Sequence, residues 1–157
     1  MKLYLQQKVF SIGDKFTLYD ESGAERYFVQ GEVFSFGKKL HILDMAGNEL
    51  AMIRQRLMTF LPRYSVEIGG TVVAEIVKKF TLFHNEYAIE GLGWTVHGNM
   101  FDHDYEIYSG NAVIARVSKQ WFTFGDAYEI EISPNAHLVT ALAVVLVIDA
   151  CLEQQRD

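Results

Sequence analysis

The sequence is short of several things, and each shortage removes a class of protein. It has a single cysteine, Cys151, so no disulfide can form within the chain. That usage fits a reducing compartment. It has two prolines, Pro62 and Pro134, and no stretch rich in Pro, Gly or Ser that would read as a linker between domains. Positive charge is scarce: 14 Lys and Arg face 20 Asp and Glu, for a net charge of −6. Nucleic acids are held by clustered Lys and Arg that neutralise phosphates, so a nucleic-acid partner is not expected. The opening residues, Met1 to Lys8, lack the long apolar core of a signal peptide. The expectation is a cytoplasmic protein, peripheral to the membrane if its ligand is a lipid.

What is present reads as one domain over residues 1–157. Half of the residues are hydrophobic, 13% are aromatic and 22% are charged, a globular composition. The first 132 residues are short β-rich runs separated by Gly, Asp and Asn. Twelve such runs can be counted: 3–11, 15–19, 25–30, 39–43, 49–57, 63–68, 71–80, 87–90, 94–101, 105–108, 112–119 and 127–132. In Tyr128-Glu129-Ile130-Glu131-Ile132 the apolar residues face one way and the carboxylates the other, and residues 63–68 alternate similarly. A period of two with a polar opposite face indicates a sheet with one dry side. Ile12-Gly13-Asp14, Asp20 to Gly23, Asp44 to Asn48, Gly69-Gly70 and Ser109 to Asn111 carry the residues that tight hairpins need, so neighbouring strands should pair as an antiparallel meander. A weak repeat also shows. Ala51, Ile53 and Gln55 after Gly47 match Ala74, Ile76 and Lys78 after Gly70, and, displaced by one, Ala115, Val117 and Lys119 after Gly110. A small inward Ala would leave room for something inside the sheet.

After Ser133-Pro134, an N-cap residue and a first-turn proline, the pattern changes. From Leu138 to Ile148 a helix would be apolar on every face, with only Thr140 interrupting. Such a helix must be buried all round. A membrane anchor needs about 20 apolar residues to cross roughly 30 Å of hydrocarbon. This run is about half that, being bounded by His137 and Asp149. A thirteenth strand would be long and without a turn. The third option is a helix enclosed by protein. Eight strands already close round their own side chains, so a barrel of about twelve leaves a lumen that a helix can fill. The predicted fold is therefore mainly β (α+β): a closed antiparallel barrel of about twelve strands round a buried C-terminal helix over about residues 134–155.

The strand and turn succession with one terminal apolar helix resembles the LURP-one-related family, within the tubby C-terminal-like superfamily. The stretches that carry the likeness are Phe34 to Gly47, Val96-His97-Gly98 leading into Tyr105-Glu106-Ile107, Ile114 to Lys119, and Gly125 to Ile130, with Val147-Ile148-Asp149 at the end. They span nearly the whole chain, and they are turn and core patterns rather than chemical motifs. The resemblance implies a twelve-stranded barrel round a hydrophobic helix. It also implies kinship with tubby-type domains, which bind phosphoinositide headgroups, and with phospholipid scramblases, which act at membranes. No phosphoinositide-binding motif of the tubby type is found here, so no residue is carried over from it.

The chemistry is sparse. There is no nucleophile elbow, HExxH or P-loop. Of the five histidines, His97 and His103 are the metal candidates, flanking Asp102; a hairpin turn accounts better for Asp102-His103-Asp104, because strand residues alternate faces. Neither a metal nor a cofactor is expected. The basic clusters Lys38-Lys39, Arg54/Arg56 and Lys78-Lys79 are the candidate ligand-binding residues, against the plainer reading of solvated strand faces. Cys151 should be a buried, inert thiol, and Asp149 should pair or hydrogen-bond near the barrel end. Trp94, Trp121 and Phe122-Thr123-Phe124 read as packing aromatics, the last run being the alternative docking patch. With the helix in the lumen, any site should lie on the outer wall or at a barrel mouth. Two functions follow. One is a non-catalytic binding or scaffold module for a lipid headgroup, a small ligand or a protein partner, with a membrane phospholipid or a protein as the candidate partner and a monomer as the expected state. The other is an enzyme or metal protein whose site is assembled from distant strands near His97 and His103.

Overall fold

The computed structural model describes residues 1–6, 15–34, 37–80, 85–120 and 127–156. In chain order they form β1 (Lys2–Gln6), β2 (Lys15–Tyr19), β3 (Glu25–Phe34), β4 (Gly37–Leu43), β5 (Glu49–Arg56), β6 (Arg63–Ile68), β7 (Thr71–Phe80), β8 (Asn85–Glu90), β9 (Trp94–Asn99), β10 (Asp104–Ser109), β11 (Ala112–Gln120), β12 (Ala127–Ile132) and α1 (Leu138–Arg156). Residues 7–11 of the expected first strand lie outside the described residues. So do the turn at Ile12-Gly13-Asp14, His84 and the aromatic run Trp121 to Phe124.

All strand pairs are antiparallel, in the order β8-β7-β6-β5-β4-β3-β2-β1-β12-β11-β10-β9. The first strand closes on the last: Leu3 lies opposite Ile130 and Leu5 opposite Tyr128. The result is a nearly closed barrel. Leu3, Leu5, Tyr128, Ile130 and Ile132 are buried inside, and Glu129 and Glu131 project from the wall. Ser65 departs from the expected wet face. It is fully buried, set in register between Arg54 and Glu75.

The repeat has a structural basis. In four hairpins the register slips by one residue just before the turn: at Leu18/Tyr19, Ile42/Leu43, Val66/Glu67 and Ile107/Tyr108. Each slip is a bulge, with one extra residue on the returning strand. The next inward residue is Tyr27 in the first unit and Ala51, Ala74 and Ala115 in the others. The first two turns share their chemistry as well. The Asp20 carboxylate accepts from the N–H groups of Ser22 (2.9 Å) and Ala24 (3.0 Å), and that of Asp44 from Ala46 (2.9 Å) and Asn48 (2.8 Å). Gly23 and Gly47, both at positive φ, reverse the chain behind them.

These hairpins all turn at one end of the barrel, which is also where β12 delivers the chain to α1. The helix begins later than Ser133-Pro134 suggests. Ser133 instead closes a turn by accepting from the Ala136 N–H (3.0 Å), and His137 caps the helix, its Nδ1 accepting from the Thr140 N–H (3.3 Å). From there α1 runs through the lumen to the opposite end, here called the mouth. Every side chain from Ala141 to Ile148 is fully buried. The helix lies closest to β5, β6, β7, β11 and β12. Three of these carry the small Ala51, Ala74 and Ala115, so the small residues stand where the helix comes nearest.

Each large apolar side chain so enclosed contributes about 1.5–3 kcal/mol. Leu146→Ala should lower the unfolding free energy by about 2–5 kcal/mol in urea, with the denaturant slope unchanged. A loss below about 1 kcal/mol would show that this helix face is not enclosed.

Candidate functional site at the open seam

β8 and β9 follow each other in sequence, yet they are the two ends of the sheet order. The Gly91-Leu92-Gly93 turn joins them, but no ladder links them among the described residues. This corrects the expectation that every hairpin pairs. Each strand is held from its outer side, β8 by six register pairs with β7 and β9 by six with β10. The helix lies closest to β5, β6, β7, β11 and β12 rather than to the two edge strands.

A cleft of about 520 Å³ lies at this seam. Strand alternation builds it. Tyr87 and Ile89 of β8 turn inward and are buried, and Trp94 and Val96 of β9 turn the same way, Val96 lying opposite the buried Ile107. With Met100 these five make an apolar floor. Lys79, Glu86, Thr95 and His97 supply a polar rim. Gly98 is obligatory at the mouth end of β9. A Cβ there would sit 2.7 Å from the Asp104 carbonyl oxygen and 2.8 Å from the Tyr105 Cα, at a φ of +119°. β9 thereby sits close on β10.

Behind the floor is a buried polar group. Asp149 of α1 and His103, in the turn between β9 and β10, are 2% and 4% exposed. The His103 Nδ1 lies 3.8 Å from an Asp149 carboxylate oxygen. The imidazole stacks flat on Tyr128, with centroids 4.7 Å apart. His103 has a φ of 51°, in a turn closed by its N–H to the Met100 carbonyl (3.2 Å). Burial, then the charge of Asp149 and the nearby Tyr87, hold the Tyr105 hydroxyl well above its ordinary pKa. Burial pushes the Cys151 thiol up to about 12, against the downward pull of Lys78 and Lys38. An un-ionised, buried thiol is inert, as expected.

The six basic candidates are spread over three places. Lys79 is on the cleft rim. Lys38 and Lys78 share the inward parity of Leu40 and Ile76 and sit near Cys151 at the mouth. Lys39, Arg54 and Arg56 face outward from β4 and β5 among carboxylates. Arg54 is 3.8 Å from Glu67 and Arg56 4.0 Å from Glu75, while Arg63 bridges Glu75 and Glu90, the latter at 2.8 Å. His97 and His103 are not brought together. His97 is exposed on the outer face of β9, edge-on to Tyr108 with ring centroids 5.4 Å apart, whereas His103 is inside. Among the described residues no three His, Cys, Asp or Glu side chains converge as a metal site would require. At the mouth, Met58 and Phe60 in the β5–β6 connection are fully exposed, with Leu57 and Phe101 about half exposed.

The family model for LURP-one-related proteins matches residues 1–149. The chain belongs to the LURP-one-related family. A Bacillus subtilis (strain 168) relative, the uncharacterized protein YxjI, is 35% identical over 157 residues, covering all of this chain and 97% of its own. A solved Arabidopsis thaliana protein has the same fold, with a TM-score of 0.66 at 17% identity over 96% of this chain and 90% of that one. Membership bears out the family resemblance read from the turns and core. Val96-His97-Gly98, one of the stretches that carry the family likeness, lies in the seam strand β9. The one signal in this sequence is β9 itself, Trp94-Thr95-Val96-His97-Gly98-Asn99, a strand without Lys, Arg, Asp or Glu.

His41, on the outer face of β4, offers a pH test. Its two ring nitrogens contact Glu49 and Glu32, the latter at 2.9 Å. Burial disfavours the charged ring, but the hydrogen bonds to the two carboxylates outweigh it and raise the pKa above 6.5. A raised folded-state pKa adds stability that is complete below the unfolded value and fades as pH rises through the folded one. The stability lost in His41→Gln should therefore be largest near about pH 6 and shrink toward about pH 8, measured by urea unfolding. A loss that is flat across that window would exclude the charged imidazole as its source.

Proposed function

We propose that this protein is a non-catalytic binding module whose ligand lies in the seam cleft. The carrying observation is the cleft itself, an apolar floor with aromatic Tyr87 and Trp94 under a rim bearing Lys79, Glu86 and His97. A concave apolar site with a few polar groups at its edge is the usual form of a ligand pocket. The state of the reactive groups supports a binding role over a catalytic one. His103 and Asp149 are closed off from solvent, and the Cys151 thiol stays protonated. The amphipathic aromatic anion 8-anilinonaphthalene-1-sulfonate is a suitable probe. It should bind at one saturable site, and Trp94→Ala and Lys79→Glu should each weaken it about tenfold. Binding that neither change alters, or no saturable binding, would discard the cleft.

A second reading rests on a different observation, the exposed Met58 and Phe60 at the mouth, where Lys38 and Lys78 also lie. Apolar side chains backed by cations suit the boundary of an anionic bilayer. No described helix is long and apolar enough to cross a membrane, so this contact would be peripheral unless strands insert. The chain should then co-sediment with phosphatidylserine vesicles but not with phosphatidylcholine ones, and Phe60→Ser should reduce the bound fraction severalfold. Equal recovery with both vesicle types, or none with either, would remove the reading.

A further inference from the structure

We infer that the seam cleft takes an extended peptide of a partner protein, uncharged and apolar at alternate positions, added as a strand along β9. This deepens the binding-module reading and rests on it.

Four features converge on a strand as the occupant. First, among the described residues β9 pairs on one side only: Trp94 to Asn99 match Ser109 to Asp104 of β10, residue for residue, without a slip. Its other edge faces the cleft. Second, β9 lacks the devices that usually protect an edge, since it holds no Lys, no Pro and no bulge. Thr95, His97, Gly98 and Asn99 are exposed. Third, the cleft walls alternate with the period of a strand. Trp94 and Val96 lie toward the floor and Thr95 and His97 toward the rim, so an inserted strand would place every second side chain on apolar surface and the others in water. Fourth, the charge around the edge is balanced. Lys79 stands opposite Glu86 in register on the β8 side, while β9 carries no acid, Lys or Arg. The complementary partner is therefore an uncharged strand rather than an anion. β8 and β9 approach each other beside the turn that joins them, so the segment enters from the mouth end of the β9 edge.

The test uses the full chain. Peptides of about nine residues selected from a random display library are synthesised and made to compete with 8-anilinonaphthalene-1-sulfonate. Each is also prepared with single backbone N-methyl groups stepped along its length. The expected result is displacement of the probe, new hydrogen-exchange protection in β9, and a loss of affinity of about fivefold or more at every second N-methyl position. Because the modification is made in the peptide, no protein variant has to fold. Val96→Lys, which aims a charge into the cleft, should abolish binding while circular dichroism stays unchanged. If it misfolds, the N-methyl series decides alone. Uniform tolerance of N-methylation overturns strand addition. Probe binding that no peptide displaces also overturns it, and leaves the cleft as a site for a different ligand. Absence of probe binding removes both readings. Concentration-dependent dimers with β9 protected would name a second copy as the occupant and overturn the partner peptide.

Discussion

A helix with no polar face persists in water only where something surrounds it. That constraint organises this protein. From Ala141 to Ile148 no side chain reaches solvent. The wall that encloses the helix has the complementary difficulty, since twelve strands make a lumen wider than their own side chains fill. Each element removes the other's defect, and neither would be stable alone. The fit is local as well as general. Ala51, Ala74 and Ala115 sit at equivalent points of three bulged hairpins, on strands that lie close to the helix. The first hairpin has Tyr27 at that point, and its strands are not among those nearest the helix. Residue size at one repeated position thus tracks the position of the helix within the barrel.

Much of this could be read from the residues in advance. The all-round apolar run Leu138 to Ile148 excluded a surface helix and was too short to span a bilayer, so it called for an enclosing wall. Strand alternation and the Asp-to-Gly turns then supplied that wall. The later helix start was not legible, because Ser133 and His137 both present side chains able to accept from a backbone N–H, and only the tertiary path decides which one caps. The seam was not legible either. Gly91-Leu92-Gly93 has the composition of a hairpin turn, and composition describes the turn, not whether the strands beyond it meet. That is settled by tertiary packing, in which Gly98 lets β9 sit close on β10. The basic pairs were legible only as residue types. Their separation among wall, mouth and cleft rim depends on inward or outward parity at each strand's end.

Asp149 shows the same limit at finer scale. A carboxylate at the end of an apolar helix invites a partner, since a lone buried charge is costly. The partner is His103, 46 positions away in number only, because the turn between β9 and β10 folds over the mouth where the helix ends. That turn also places Met100 in the cleft floor. His103 of this pair therefore sits in the same turn that shapes one end of the seam, while Tyr87 connects the floor to Tyr105 beside the pair. Packing of the helix and shape of the cleft are linked through one short segment.

An open seam in a β-barrel is a feature to be explained, since closing the sheet would satisfy two more strand edges. Among the described residues β8 and β9 come near each other without a ladder between them, each held in register only from its outer side, β8 by β7 and β9 by β10. Of the two edges, β8 carries Glu86 and Glu90, whereas β9 has no acid and no Lys or Arg. An edge left without charge, bulge or proline risks pairing with other chains. Its cleft confines that risk to a segment able to lie between two strands over an apolar floor. The geometry that keeps the barrel from closing is thus also what makes the exposed edge selective.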